Sequence, residues 1–224
     1  DRFIRPLRTL VKKIQDEGAR IGIQLVDSLV RSGKKPADLS KEEVYGIIED
    51  FVQAAARAQQ AGFDLVEFHF AHLYTLADFL SRQTNKREDE FGKGFEGRMR
   101  IAEEILTRAR RQLGSDFVMG CRINGDEFVL GGNTLADSQV IAQRLEALGS
   151  NFIDVSAGGR PEEDGSWGYS LSRTIPPREM PDAVNAYLAG GIRNQVNVPV
   201  IHAGKIGHPT VAETVLENGQ ADLI

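Results

Sequence analysis

His69, His72 and Tyr74 lie close together at the end of an apolar run, residues 63–70, whose composition predicts a β-strand. Two imidazoles and a phenol at a strand end can hydrogen-bond an electron-withdrawing oxygen and deliver a proton beside it. Glu67 has the same strand parity as His69, so both side chains are expected on one face. A capping histidine with a packed tyrosine is an equally good interpretation, and a metal site is a third because histidine is a common ligand.

Arg122 and Gln24 lie near the ends of two other predicted strands. A guanidinium at such a place can neutralise an anionic ring or a phosphate by forked donation. For Arg122 taken alone, a structural ion pair with Glu67 or Asp154 is the plainer interpretation. The Gln24 amide presents a donor and an acceptor side by side, which matches the pyrimidine edge of a flavin.

A glycine-containing turn with Gly204 and Gly207 leads into a helix predicted from Pro209. Free backbone N–H groups and the helix dipole favour an anion such as phosphate there, and an ordinary turn is the alternative. Lys205 either adds positive charge to this site or is solvated.

Cys121 lies mid-strand among apolar residues, which predicts a buried, unreactive thiol. The charged run from Lys86 to Glu90 is predicted to be a solvated loop.

Short apolar runs alternate with amphipathic stretches along the chain. Strands are predicted over 20–26, 63–70, 117–123, 151–156 and 198–202, with a sixth beginning at 221, and helices over 40–62, 95–113, 134–148, 181–196 and 209–218. This alternation predicts a parallel sheet, either a (β/α)8 TIM barrel or a doubly wound sheet. No G-x-G-x-x-G follows a strand, which favours the barrel. We expect one partial barrel domain over 1–224, cut at both ends.

Residues 157–180 break this rhythm, because they follow the fourth strand without any periodicity. A loop of this length in a compact domain is usually functional or disordered, and it belongs to the face where barrel active sites lie. It contains Trp167 and Tyr169.

The composition excludes several classes of protein. A net charge of −5 argues against a general affinity for nucleic acid or anionic membranes. No apolar run approaches the ~20 residues that span a bilayer. A single cysteine allows no internal disulfide and no cysteine-ligated cluster, so we expect a cytoplasmic protein.

Taken together, these segments resemble the old yellow enzyme family of NADH:flavin oxidoreductases. The strongest part runs from Ala61 to Arg100, AGFDLVEFHFAHLYTLADFLSRQTNKREDEFGKGFEGRMR. It is similar to the family's H-x-A-H-G-Y block, its F-L-S-P-x-x-N-x-R stretch and its Y-G-G-S-x-E-N-R-x-R run. The resemblance implies a TIM barrel with FMN at the carboxyl-terminal mouth.

The resemblance also implies the cofactor-binding residues. Gln24 and Arg122 would hold the isoalloxazine ring, and Gly204 with its helix would cradle part of the FMN phosphate. NAD(P)H would be the electron donor.

For the substrate, the resemblance implies that His69 and His72 bind the activating oxygen of an enone, enoate or enoyl thioester. Tyr74 would donate a proton to the α-carbon while hydride reaches the β-carbon through flavin N5. The partners expected are a small unsaturated molecule, acyl-CoA among them, and further copies of the chain in a homo-oligomer.

The chain departs from the family pattern at several positions: Leu73 replaces a glycine, Arg82 a proline, Gly97 an asparagine, and Asp27 a histidine. The context of Tyr74 is closer to the bacterial enoate and 2,4-dienoyl-CoA reductase branch, whose members can continue into a 4Fe–4S and FAD-binding region.

Three other functions stay open. The same flavin site could run oxidatively as an amine or alicyclic dehydrogenase. A metal-dependent barrel hydrolase would use His69, His72 and a carboxylate. A barrel that has lost its flavin would be a non-catalytic partner.

Overall fold

The computed structural model describes residues 2–27, 34–159 and 167–224. The helices are α1 (Ile4–Asp16), α2 (Lys41–Ala61), α3 (Thr75–Leu80), α4 (Gly94–Leu113), α5 (Leu135–Ala147), α6 (Trp167–Thr174), α7 (Ala186–Arg193) and α8 (Pro209–Glu217). The strands are β1 (Gly22–Leu25), β2 (Leu65–Phe70), β3 (Val118–Asn124), β4 (Phe152–Ser156) and β5 (Val200–His202). No helix in these ranges is long and apolar enough to cross a membrane.

The long helix α2 begins and ends where its sequence predicts. The Ser40 hydroxyl accepts from the Glu43 backbone N–H at 3.2 Å, and the Glu43 carboxylate accepts from the Ser40 N–H at 2.8 Å. Gly62 ends the helix with a φ of 94°, a left-handed conformation that glycine adopts without strain. Val44, Ile48 and other apolar residues of one face are buried in the core, as the helical spacing predicts.

The described strands form one parallel sheet in chain order, β1 to β5. Its register pairs Gln24 with Glu67, His69 with Arg122, and Arg122 with Asp154. Paired residues of a parallel sheet share a face, so these polar side chains lie on one side. Phe68 faces the other side and packs against Phe51 of α2, with ring centroids 6.4 Å apart. Five neighbouring strands backed by helices form an arc of the predicted (β/α)8 barrel.

Three predicted segments differ from the structure: the loop 157–180, the helix 181–196 and the strand that begins at 221. The segment 157–180, predicted to lack regular structure, contains α6, where the Ser170 hydroxyl donates to the Glu127 carbonyl at 2.6 Å. The helix predicted over 181–196 covers only Ala186–Arg193. The strand predicted from 221 is reduced to one parallel bridge between Leu223 and Ile201.

The prediction for the charged run at Lys86–Glu90 was wrong for Arg87. Its side chain is only 6% exposed and pairs with Asp89 at 2.6 Å. It also donates to the backbone carbonyls of Pro36 and Leu39. The guanidinium therefore fastens the segment before α2 to the loop before α4.

Candidate functional site

A chain of hydrogen bonds joins three strand ends on the polar face of the sheet. The His69 Nε2 and His72 Nδ1 atoms lie 3.2 Å apart. The other nitrogen of His72, Nε2, lies 2.7 Å from the Ser156 hydroxyl at the end of β4. Arg122 of β3 donates to the same hydroxyl from Nη2 at 3.3 Å. The structure therefore brings His69, His72 and Arg122 together, as predicted, and adds Ser156.

Tyr74 stands beside this chain. Its ring centroid lies 5.4 Å from that of His69 and 6.4 Å from that of His72, and its side chain is partly exposed. The backbone before it is unusual, because His72 and Leu73 have φ values of 62° and 57°. These two left-handed residues turn the chain so that the imidazole of His72 comes back onto His69.

Leu73 occupies the position where the family pattern has glycine. A left-handed conformation costs a residue with a β-carbon about 1 kcal/mol or more. The side chain is nevertheless buried, and it packs so close to Gly159 that a β-carbon added there would lie 2.7 Å from Leu73 Cγ. The contact between Leu73 and Gly159 holds the loop after β2 against the end of β4.

Burial and the charge of Arg122 keep both imidazoles neutral near pH 7. Burial, followed by Arg122, lowers the pKa of His69 to about 4. Burial, then His69 and Arg122, lowers the pKa of His72 to about 3. Each ring therefore carries one N–H and one bare nitrogen.

A second cluster of polar side chains lies on the same face of the sheet, and its Glu67 and Asp154 come two residues before His69 and Ser156. The Gln24 amide donates to the Glu67 carboxylate at 2.5 Å, and Arg122 Nε lies 3.4 Å from the Asp154 carboxylate. Burial raises the pKa of Asp154 to about 7, the Arg122 charge opposes this rise, and the Glu67 carboxylate adds to it. The predicted ion pair of Arg122 with Asp154 is confirmed, and it coexists with the contact to Ser156.

Gly204 follows β5 at the same edge of the sheet, with a φ of 148°. The helix α8 has little capacity left for an anion, because Pro209 has no N–H and the Thr210 N–H donates to the His208 ring at 3.3 Å. Within the described residues, the N–H groups of Gly204 and Gly207 donate to no protein acceptor. The backbone of this turn, and not the first turn of α8, therefore has the N–H groups that could bind an anion.

Lys205 is partly exposed but has protein partners, so it is not simply solvated, and the charge that it could add to an anion site stays a prediction. Its ammonium donates to three backbone carbonyls, those of Pro177, Arg178 and Met180. These carbonyls hold the cation against the segment that follows α6.

Sequence reasoning missed Ser156 and also Asn124, whose side-chain oxygen accepts from the His72 backbone N–H at 3.2 Å. Both lie two residues beyond a residue that the sequence analysis named, Asp154 and Arg122. Strand parity would have found them, because residues i and i+2 share a face. Residues 160–166 and the Trp167 side chain, which the predicted functional loop includes, lie outside the described residues.

Cys121 is buried, and burial raises the pKa of its thiol to about 12. The prediction of a buried thiol is confirmed. Across residues 2–27, 34–159 and 167–224, no group of three or more His, Cys, Asp and Glu side chains is arranged to hold a metal ion.

Comparison with known proteins agrees with this geometry. Residues 27–224 match the model of the NADH:flavin oxidoreductase / NADH oxidase family. The chain is 39% identical over 192 residues to an NADH oxidase of Thermoanaerobacter brockii, covering 86% of this chain and 28% of that protein. It is 34% identical to an N,N-dimethylglycine/sarcosine dehydrogenase of Chromohalobacter salexigens, covering all of this chain and 35% of that protein.

Among solved structures, the fold matches a complex of 2-naphthoyl-CoA reductase with a TM-score of 0.86 at 24% identity, covering 98% of this chain and 37% of that one. The chain thus spans between 28% and 37% of the length of these relatives. The family match covers most of the chain, and the fold is an arc of the barrel that these structures share. The chain belongs to the NADH:flavin oxidoreductase / NADH oxidase family, the old yellow enzyme family.

Proposed function

We propose that the protein containing this chain is an FMN-dependent oxidoreductase that reduces an activated C=C bond with electrons from NAD(P)H. The observation that carries this proposal is the cluster of His69, His72 and Tyr74 rings, joined to Arg122 through Ser156, at the carboxyl-terminal edge of the sheet. Active sites of (β/α)8 barrels lie at this edge.

The residues present fit a flavin. Arg122 is a fixed positive charge whose Nε makes an ion pair but no hydrogen bond within the described residues, so a donor remains for a ligand. The exposed Gln24 residue lies at the same edge, and the turn at Gly204 offers N–H groups that suit a phosphate and that donate to no acceptor in the part of the chain that the structure describes. When bound, FMN supplies the hydride transfer that no amino-acid side chain can perform.

The two imidazoles and the phenol have different tasks in this proposal. A neutral imidazole donates a hydrogen bond to a carbonyl oxygen without giving up its proton, and the lowered pKa of both histidines keeps them neutral. Tyr74 is then the nearby group that delivers a proton to carbon. His69 and His72 bind and polarise the substrate oxygen, which makes the β-carbon electron-poor.

The direction and the substrate are also proposals. The fold neighbour 2-naphthoyl-CoA reductase acts on an aromatic acyl-CoA, which favours a reductive reaction on an enone, enoate or enoyl thioester. The relationship to an N,N-dimethylglycine/sarcosine dehydrogenase favours the second candidate, oxidation of an amine by the same site. A metal-dependent hydrolase gains no support, because the family is one of flavin oxidoreductases.

Replacing Tyr74 with phenylalanine tests the reductive proposal in the whole protein. General acid catalysis contributes about 10²–10⁴-fold, so Y74F should slow reoxidation of the reduced flavin by 2-cyclohexenone about 100-fold or more. Reduction of the flavin by NAD(P)H should change by no more than about twofold, because that half-reaction needs no proton at the substrate carbon. Stopped-flow absorbance measures both half-reactions separately.

The matched control is Y45F, which removes the hydroxyl of a tyrosine on α2 that packs edge-on against Phe91, with ring centroids 5.3 Å apart. It should leave both rates unchanged. Equal losses in the two half-reactions of Y74F would exclude Tyr74 as the proton donor.

The cytoplasmic location, the homo-oligomer, and the 4Fe–4S and FAD groups beyond this chain stay predictions.

A further inference from the structure

The turn between β5 and α8 has a strained backbone. Lys205 has a φ of 52°, a left-handed conformation that costs free energy in a residue with a β-carbon. Ala183 is left-handed as well, with a φ of 51°, and its N–H donates to the Lys205 carbonyl oxygen at 2.9 Å. Two strained residues are thus bonded to each other. Such conformations persist only where the surrounding structure holds them in place.

The side chain of Lys205 supplies the contacts that hold this turn. Its ammonium donates to the Arg178 carbonyl at 3.0 Å and also to the carbonyls of Pro177 and Met180. A lysine ammonium has three N–H donors, so three carbonyl acceptors use all of them. Lys205 therefore has no N–H left to donate to a ligand, although its positive charge stays beside the turn.

Residues 177–180, which we call the strap, keep these carbonyls in place. The Met180 N–H donates to the Pro177 carbonyl at 3.1 Å, which closes a turn within the strap, and the ring of Pro177 fixes its own φ. The strap follows α6, where the Thr174 hydroxyl donates to the Ala157 carbonyl at 3.0 Å. The ammonium therefore ties the turn after β5 to a segment that is anchored at the end of β4.

The conformation of Lys205 matters because the turn's free N–H groups lie on either side of it. The N–H groups of Gly204 and Gly207 donate to no acceptor in the parts of the chain that the structure describes. Lys205 follows Gly204 directly, so its backbone angles set the directions of the two N–H groups relative to each other. Backbone N–H groups around a left-handed residue form concave sites for anions, and such a site binds well only when it is preorganised.

We propose that Lys205 is a positioning residue. By donating its three ammonium hydrogens to the strap, it fixes the left-handed turn that aims the Gly204 and Gly207 N–H groups at a phosphate. That this phosphate belongs to FMN rests on the proposed function, whereas the attachment of the turn to the strap does not. The competing explanation is that Lys205 attracts the phosphate through its charge alone.

Two substitutions in the whole protein separate position from charge. K205M removes the charge and the three hydrogen bonds. K205R keeps the charge, but the donors of a planar guanidinium cannot match three carbonyls that surround one ammonium. We expect both variants to bind FMN roughly tenfold more weakly than wild type, measured by quenching of flavin fluorescence. Riboflavin has no phosphate, so its affinity should change by no more than about twofold in either variant.

Hydrogen exchange gives a second measurement that needs no flavin. The Ala183 N–H donates to the Lys205 carbonyl, so its exchange rate reports whether the turn stays in place. In the whole protein without flavin, we expect this amide to exchange at least about tenfold faster in K205M and in K205R than in wild type, as followed by NMR. The control K86M removes an exposed ammonium that donates to one carbonyl, that of Arg82 at 3.1 Å. It should change neither this exchange nor the affinity for FMN.

An affinity of K205R for FMN equal to that of wild type would overturn the proposal, because the charge alone would then be sufficient. Equal losses of FMN and riboflavin affinity would also overturn it, and so would Ala183 exchange at the wild-type rate in both variants. K205R decides the question by itself if K205M does not fold. A protein that binds neither flavin would refute the proposed function, and the Ala183 exchange rates would still show whether Lys205 holds the turn.

Discussion

Replacing Glu127 with glutamine should make the stability of the protein less dependent on pH. The Glu127 side chain is 3% exposed in the loop after β3. Its carboxylate accepts from the Ser81 hydroxyl at 2.8 Å and from the Asn133 N–H at 2.9 Å. Burial raises its pKa from 4.5 to about 7 in spite of these two bonds, which favour the charged form.

The sign of the effect follows from this raised pKa. The folded state binds the Glu127 proton more tightly than the unfolded state, whose pKa is near 4.5. The resulting stabilisation is complete below pH 4.5 and is lost as the pH rises through about 7. The difference between the two pKa values corresponds to about 3 kcal/mol in the free energy of unfolding. Because the Glu127 carboxylate is almost fully buried, solvent screening does not reduce this free-energy difference.

Urea unfolding of wild type and E127Q at several pH values measures this difference. Glutamine resembles the protonated acid, so E127Q should gain about 3 kcal/mol over wild type between pH 4.5 and about 8. His69 and His72 lose stabilisation as the pH falls, because their pKa values are lowered, but they do so in both proteins and cancel. E213Q, on exposed α8, is the control and should give a curve parallel to wild type. A constant difference between E127Q and wild type at all pH values would refute the reasoning.

Two further predictions concern cations whose hydrogen bonds to backbone carbonyls hold loops. R87K should lower the free energy of unfolding by about 2 kcal/mol, because lysine cannot keep the forked donation to Asp89 and also reach the Pro36 and Leu39 carbonyls, and urea unfolding measures the loss. An R87K protein as stable as wild type would contradict this role. K205M should raise amide hydrogen exchange in residues 178–180 at least tenfold, measured by mass spectrometry, because it removes the cation from three carbonyls. If these residues exchange at the wild-type rate in K205M, Lys205 does not order the segment that follows α6.

The sequence predicts the positions of His69 and Arg122 well, because both lie at the ends of short apolar runs that alternate with helices, a pattern that favours buried parallel strands. Side chains at the ends of neighbouring parallel strands meet at one edge, so their proximity follows from the pattern alone. The boundaries of α2 were predictable for a similar reason, since Ser40, Glu43 and Gly62 act locally.

Contacts between distant segments could not be read from local patterns. The burial of Arg87 depends on carbonyls about fifty residues earlier in the chain. The return of His72 onto His69 depends on two left-handed residues, one of them a leucine, for which no sequence rule predicts that conformation. The three carbonyl partners of Lys205 could not be predicted, because they come from a segment that has no periodicity.

The most direct test of the account is the absorption spectrum of the whole purified protein before and after NADH or NADPH is added without oxygen. We predict bound FMN that is bleached by the nicotinamide and whose colour returns when 2-cyclohexenone is added. A protein that binds no FMN when it is supplied, or whose flavin neither nicotinamide reduces, would contradict the account.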